Sequence, residues 1–417
     1  MDNYISDETF IEDERIIEKS GVRRVFTPHT PINDISLFKG RTVEVRQILS
    51  TLNTPGQHVL LFGERGVGKS SLTNVTSKQI VNITNKYLIS KKCSKTDNFK
   101  TIVEKVLIHV GVNPLESRNS KRTEIGFSGA AFETSRELSG YEDRLNSPSW
   151  VAEKIKDANV LFLIDEFDSI KEESDKFKIA ELVKLLSDYN SDIKLFIVGI
   201  AETSSKLTQG HPSVQRCLKE IKLQKMQNEE LFRIIIDGER KLGIEFSRES
   251  RRRICILSSG YAHFTHLIAL KASEEAIINN QPYIDLPDVN RAIEKSVDEC
   301  VDTLSTSYKD AISSFSASTI DKYRKILYAI SQCNDEFIRS AEIRKEYSRI
   351  FKDNITQGTL NNFLSKIVAS DTSKLLKRLG KGVYRFNDPR MISYIKLIQS
   401  DLFAEYEMQL LREQGGL

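Results

Sequence analysis

Residues 59–71 read VLLFGERGVGKSS. Four apolar residues, Val59 to Phe62, run into Gly63, Glu64, Arg65, Gly66, Val67, Gly68, Lys69, Ser70 and Ser71, which carry the spacing GxxxxGK[ST]. An apolar run of this length after the turn-forming PGQ predicts a buried strand that feeds the loop. Glycines let the backbone fold around an anion so that successive N–H groups point inward, and the helix that begins near Lys69 aims its positive end at the same place. The loop is therefore a phosphate cradle. Lys69 would reach the β- and γ-phosphates of a triphosphate such as ATP, and the Ser70 hydroxyl would ligate Mg²⁺.

A second acidic signal follows at residues 160–170, VLFLIDEFDSI. Val160 to Ile164 is a continuous apolar run of the kind found in central parallel strands, and Asp165 and Glu166 stand at its C-terminal end, where open α/β sheets bind ligands. Asp165 would hold the Mg²⁺ shell, and Glu166 is placed to orient and deprotonate an attacking water. Tyr87–Ile89, Leu195–Val198 and Ile221–Leu223 also read as strands. Helical patterns separate them, which predicts an α/β domain with a five-stranded parallel sheet covered on both faces, the core of the AAA+ class of P-loop ATPases.

The 417 residues exceed one comfortable domain, and 39% hydrophobic with 29% charged residues is an ordinary globular composition. No apolar stretch approaches the roughly 20 residues of a membrane helix, and no basic-then-apolar leader opens the sequence, so a cytoplasmic protein without a membrane partner is expected. Cys93, Cys217, Cys255, Cys300 and Cys333 are odd in number and never paired as CxxC, against a disulfide framework or a zinc site. Charge is unevenly spread. Residues 1–20 hold seven acids against two bases, predicting a flexible or docked arm over 1–24, whereas residues 319–400 hold 16 bases against 8 acids.

The nucleotide-binding core is expected over 25–225, with an insertion at about 113–149 whose GFSGAAFET centre suggests a hairpin. Residues 226–315 read as a helical lid that starts with a cap at Asn228, and SSFSAST as a linker. Three helical patterns and a basic two-stranded hairpin over 319–400 describe a winged helix, followed by a C-terminal helix or tail over 401–417. Leu360, Phe363, Leu364 and Ile367 share one face of its third helix. Thr359, Asn362 and Lys366 are left on the other, where a recognition helix would read DNA, and Lys377, Arg378, Lys381 and Arg385 lie on the wing. Wings also dock proteins, so either partner fits.

The order of FKGR (38–41), the phosphate loop, LFLIDEFDSI, LFIVGIAET, HPSVQRCLKEIKLQKM and SSGYAHFTHLIAL resembles bacterial and archaeal AAA+ ATPases related to the origin-recognition and replication-initiator group and to transposon target-selection ATPases. The likeness covers roughly residues 25 to 400. It implies that Phe38, Gly40 and Arg41 lie near the adenine, although Arg41 could equally pair with Glu44. It implies that Arg216 is an arginine finger offered to a neighbouring subunit in a homo-oligomer, the alternative being an exposed helix residue. The first sensor, commonly Asn, is replaced by Gly199-Ile200-Ala201-Glu202 and stays unassigned. The second sensor region offers His263 or His266 as phosphate contacts, or as residues packed in the lid.

Two functions are consistent with these residues. One is an ATP-hydrolysing regulator that switches assembly state and engages double-stranded DNA through the winged helix. The other is a signalling or defence switch whose winged helix binds a protein effector.

Overall fold

In chain order the molecule begins with two helices, α1 (Asp7–Ser20) and α2 (Val22–Val25), before α3 (Thr42–Leu52), β1 (His58–Gly63), α4 (Lys69–Thr84), β2 (Tyr87–Lys92) and α5 (Phe99–His109). Then come α6 (Pro148–Ile155), β3 (Val160–Asp165), α7 (Glu173–Asp188), β4 (Lys194–Gly199) and β5 (Leu218–Leu223). The computed structural model describes residues 7–32, 38, 40–112, 144–200, 212–299, 302–313, 315–333, 335–369, 375–400, 402–404 and 406. The expected hairpin GFSGAAFET, the tail beyond 406 and Ala201 and Glu202 of the first sensor region lie outside the described residues.

The five strands form one parallel sheet, as the strand readings required, and their order is β2-β3-β4-β1-β5. Side chains alternate across it because a strand has a period of two. Leu60, Phe162, Ile164, Leu195 and Ile197 join α5, α6 and α7 in one core. Val59, Leu61, Leu161, Leu163, Phe196 and Val198 face the other way, with Ile48, Leu52, Leu72 and Ile80 of α3 and α4. β5 starts three residues earlier than its apolar run indicated. As an edge strand it mixes buried Leu218, Ile221 and Leu223 with exposed Lys219, Glu220 and Lys222, a pattern that apolar content alone cuts short.

A helical region follows: α8 (Asn228–Leu242), β6 (Glu245–Phe246), α9 (Arg248–Ser258), α10 (Ala262–Ile278), β7 (Tyr283–Ile284), α11 (Leu286–Asp298) and α12 (Asp302–Ser313). The first of these is capped by Gln227, one residue before the expected Asn228, with the Gln227 N–H donating to Glu230 Oε2 at 2.9 Å. From Asp7 onward the acidic arm is docked. Its helix α1 packs on α10, burying Ile17, and Arg23 ties the two by donating to Glu14 and to Glu274, each at 2.7 Å.

The winged helix comprises α13 (Ile320–Ser331), β8 (Ile338–Arg339), α14 (Ser340–Phe351), α15 (Gln357–Ala369), β9 (Leu376–Gly380), β10 (Val383–Phe386) and α16 (Met391–Ile398), with a three-stranded sheet in the order β8-β10-β9. Leu360, Phe363, Leu364 and Ile367 are buried, the face their helical spacing predicts. The segment before α13 is anchored as well, because Phe315 packs on Tyr323 with centroids 3.7 Å apart and the rings tilted by 32°. α16 packs on α9, α11 and α13, and Ser393 Oγ donates to Ser258 O at 2.7 Å, so the winged helix is seated on the helical region. Among the described residues no helix is long and apolar enough to cross a membrane. Cys93, Cys217, Cys255 and Cys333 are free and buried.

Candidate functional site

β1 delivers the phosphate loop to the top of the sheet. Gly63 is required there by packing, because a Cβ would lie 2.3 Å from the Leu223 carbonyl of β5. Gly66 and Gly68 take φ of +84° and +94°, left-handed values that cost any other residue strain and that turn the chain into α4. Lys69 Nζ donates to the carbonyls of Gly63 and Glu64 at 3.0 and 2.8 Å, so the ammonium is folded back over its own loop. Burial lowers its pKa against the pull of Asp168 and Asp165. Both carboxylates face the same cavity.

That cavity has a volume of about 660 Å³ and is lined by Gly66, Gly68, Lys69, Ser70 and Ser71, by Asp165, Glu166 and Asp168, by Gly199 and Ile200, and by His263 and His266. It lies where parallel sheets place ligands, beyond the C-terminal ends of β1, β3 and β4. Asp165 Oδ1 accepts the Glu166 N–H at 2.8 Å, and burial raises its pKa. Glu166 adopts a left-handed φ of +53°, which strains a residue with a side chain and marks a conformation imposed by its surroundings. Its carboxylate is 49% exposed and pairs with Lys92 Nζ at 3.1 Å, a cation that β2 places beside the end of β3.

The residues fit a magnesium nucleotide. Among the described residues no group of three or more His, Cys, Asp or Glu could hold a metal ion alone. Mg²⁺ is commonly bound through one or two protein oxygens together with substrate phosphates, and the Ser70 hydroxyl and Asp165 carboxylate are oxygens of that kind lining one cavity with the loop N–H groups.

Other sequence candidates lie elsewhere. Arg41 is 6% exposed and sits behind the loop: its guanidinium donates to Gln224 O at 2.5 Å and pairs with Glu44 at 3.3 Å, while its N–H donates to Glu230 Oε1 at 2.9 Å. Gly40 packs on the same Glu230. Phe38, Gly40, Arg41, Gly63, Glu64 and Val67 are not among the cavity-lining residues; Glu64 turns toward the lid and accepts from Tyr261 Oη at 2.7 Å. Arg216 lies outside the cavity, 67% exposed, with Nη2 2.6 Å from Asp188 Oδ1. On the winged helix Asn362, Lys366, Lys377, Arg378 and Lys381 are exposed and Thr359 half-buried. Arg385 is turned from that set, its Nη1 3.4 Å from Glu336 in a crevice shared with Glu64 and Lys225.

Three parts of the cavity wall had no role in the sequence reading. Thr27 to Ile32 run across its mouth, with the Ile32 N–H donating to Ser71 Oγ at 3.0 Å; the prolines at 28 and 31 were the available signal of an extended strap. Asp168 is brought in by the single turn Phe167–Ser169 that follows Glu166. Arg390 arrives from the winged helix. It packs so closely on the loop that a Cβ on Gly66 would lie 2.8 Å from Arg390 Cδ, and its guanidinium is held by Asp388 at 2.6 Å. Burial pushes the Asp388 carboxyl up, but its bonds to Arg390, with Arg65 close by, hold it below the ordinary carboxylate value.

A protein-family model described as Novel STAND NTPase 1 matches residues 31–321, well over half of the sequence. No curated protein matches. Among solved structures, a Walker-type ATPase of Pyrococcus abyssi is 15% identical, covers 89% of this chain and 99% of its own, and superposes with a TM-score of 0.51, a likeness of fold. The ORC2 protein of Aeropyrum pernix is 15% identical with a TM-score of 0.47, covering 93% of this chain and 98% of its own. Cdc6p from Pyrobaculum aerophilum is 15% identical with a TM-score of 0.45, covering 91% and 98%.

Proposed function

The chain belongs to the Novel STAND NTPase 1 family, and from that premise we propose that it is a cytoplasmic ATPase switch. It binds and hydrolyses MgATP, changes its assembly state with the nucleotide, and engages double-stranded DNA through the winged helix. The observation that carries this reading is Arg390: a winged-helix cation packed on Gly66 in the wall of the phosphate cavity. A ligand moves an equilibrium only by interacting differently with its two states. Phosphates of different number and charge in this cavity compete differently with Asp388 for Arg390, so the seating of the winged helix depends on the nucleotide.

MgATP would supply the scissile phosphoanhydride and a cation that offsets its charge. The chain does the rest. Lys69 would leave its own loop carbonyls for the phosphates, Ser70 and Asp165 would hold the metal, and Glu166 would orient the attacking water. Lys92 engages Glu166 in this conformation, so that exposed pair has to open before the carboxylate can take a water, at a cost of about 1 kcal/mol or less. The exposed cations of α15 and the wing support the DNA contact. A second reading, in which the winged helix receives a protein effector, is favoured by two exposed apolar side chains there, Leu379 at 41% and Phe337 at 52%.

The test is ATP turnover with and without duplex DNA, run beside sizing in ATP and ADP. DNA stimulation and a nucleotide-dependent change in size are expected. Glu166→Gln should keep ATP binding and lose turnover by about a hundredfold or more, whereas Lys69→Ala should lose binding. Equal turnover in wild type and Glu166→Gln would remove Glu166 from the chemistry, and stimulation by a protein with no DNA effect would favour the second reading.

A further inference from the structure

The first residue after Gly63 in the phosphate loop is tied to the helical region. Glu64 Oε2 accepts from Tyr261 Oη at 2.7 Å, and neither residue lines the cavity. Tyr261 is fully buried and stands directly before α10, whose first residues, Ala262 and His263, do line it. Its ring also meets the loop two residues further on, since a Cβ on Gly66 would lie 3.6 Å from Tyr261 Cδ1. The connection between β5 and α8 holds the tyrosine in place. There the Met226 N–H donates to Gly260 O at 2.9 Å, and a Cβ on Gly260 would lie 2.7 Å from Lys225 Cβ. Lys225 Nζ sits 5.3 Å from the centre of the Tyr261 ring and 3.8 Å from Glu64 Oε2. Burial and the Glu64 carboxylate push the Tyr261 pKa up, so the phenol keeps the proton it donates. The main-chain carbonyl of the same Glu64 accepts from Lys69 Nζ at 2.8 Å. One residue therefore meets the helical region with its side chain and the phosphate-binding lysine with its backbone.

We infer that Tyr261 and Glu64 form a latch that sets how fast nucleotide enters and leaves the cavity. This rests on the nucleotide reading above and adds the control of exchange. The phosphate loop and the start of α10 are two walls of one cavity, and the latch is where they are fastened together. A nucleotide that passes between them parts those walls and breaks the bond. Hydrogen bonds to a carboxylate are among the stronger ones, and this one is made away from solvent by a buried phenol. Because neither latch residue lines the cavity, the bond is the same in the empty and the loaded closed forms. It is missing only from the open form, through which both entry and exit pass. Removing it therefore eases both steps alike, and the affinity, which compares the two closed forms, stays where it was. A ligand contact behaves otherwise, since its loss speeds release and weakens affinity together.

Exchange is followed by stopped-flow fluorescence of N-methylanthraniloyl-ADP on the full chain with Mg²⁺, release being started by excess ADP. Affinity for unlabelled ADP is measured separately by titration calorimetry. Tyr261→Phe, which keeps the ring against Gly66 and Lys225, should raise the association and release rates by the same factor, about tenfold, and leave the affinity within about twofold. Glu64→Ala should raise the same two rates, and Glu64→Gln, whose side-chain carbonyl can still accept, should lie nearer the unmodified chain. Combining Tyr261→Phe with Glu64→Ala should be no faster than the faster single variant, because both delete one bond. Unchanged rates in Tyr261→Phe and Glu64→Ala would overturn the latch, and so would faster release with an affinity weakened by the same factor. The two Glu64 variants decide the matter even if the tyrosine variant does not fold. Failure of the unmodified chain to bind ADP at all would remove the nucleotide reading, and the latch with it.

Discussion

His58 opens β1 in the interior, with Nδ1 accepting the Leu195 N–H at 3.0 Å; burial and Lys194 push its pKa down to about 3. His266 is likewise held near 4 by burial and His263. Both are neutral in the folded chain but titrate near 6.5 once unfolded. Above that value neither makes stability depend on pH. As pH falls below it, the unfolded chain takes up protons that the native state refuses, so this stability is lost progressively down to the folded values. From pH 7 to 5 the two together should cost roughly 4 kcal/mol. Urea unfolding at pH 7 and pH 5 checks this, and His58→Asn, which keeps an acceptor for Leu195, should remove about half of the slope; an unchanged slope would exclude His58 as its source. At this scale the phosphate loop and the acidic pair were legible because each is a local string whose spacing carries the chemistry. Arg390, Thr27 and Asp168 were not. Arg390 meets Gly66 only because α16 is seated on the helical region, a long-range consequence that no local spacing records.

Among the elements, α15 and the wing hairpin are where a sequence pattern and an exposed face coincide. If Lys377 and Arg378 contact phosphates, replacing both with Glu should weaken duplex binding for every sequence and flatten the salt dependence by about one unit of slope per lost contact. Arg385, held at Glu336, should contribute no such slope. Unchanged affinity in the double variant would move the winged helix to the protein-docking reading. The four-residue apolar face of α15 was readable because all of it is buried. The arm helix α1 was harder, since its sequence is strongly acidic and, beside its own buried Ile17, what docks it comes from outside: Arg23, which bonds Glu14 and Glu274 together. β5 was readable only in its last three residues, for the edge-strand reason given above.

For the whole molecule the open question is whether one chain holds a complete site. Arg216 lies outside its own cavity, exposed and paired with Asp188, so a guanidinium that serves the chemistry from this position serves a neighbour's cavity. A cation supplied across an interface matters most as charge develops in the transition state. Arg216→Ala should therefore bind ATP nearly normally and turn it over slowly, while Glu166→Gln is slow because water activation is lost. Mixing the two inactive variants creates interfaces in which a protomer with intact Glu166 receives Arg216 from its partner, and turnover should partly return. An Arg216 that acts only through Asp188 within its own chain predicts no rescue. The measurement is steady-state ATP hydrolysis across mixing ratios, with sizing to show co-assembly. A co-assembled mixture that stays inactive would remove the shared site and leave Arg216 a surface ion pair, the kind that contributes about 1 kcal/mol or less to stability.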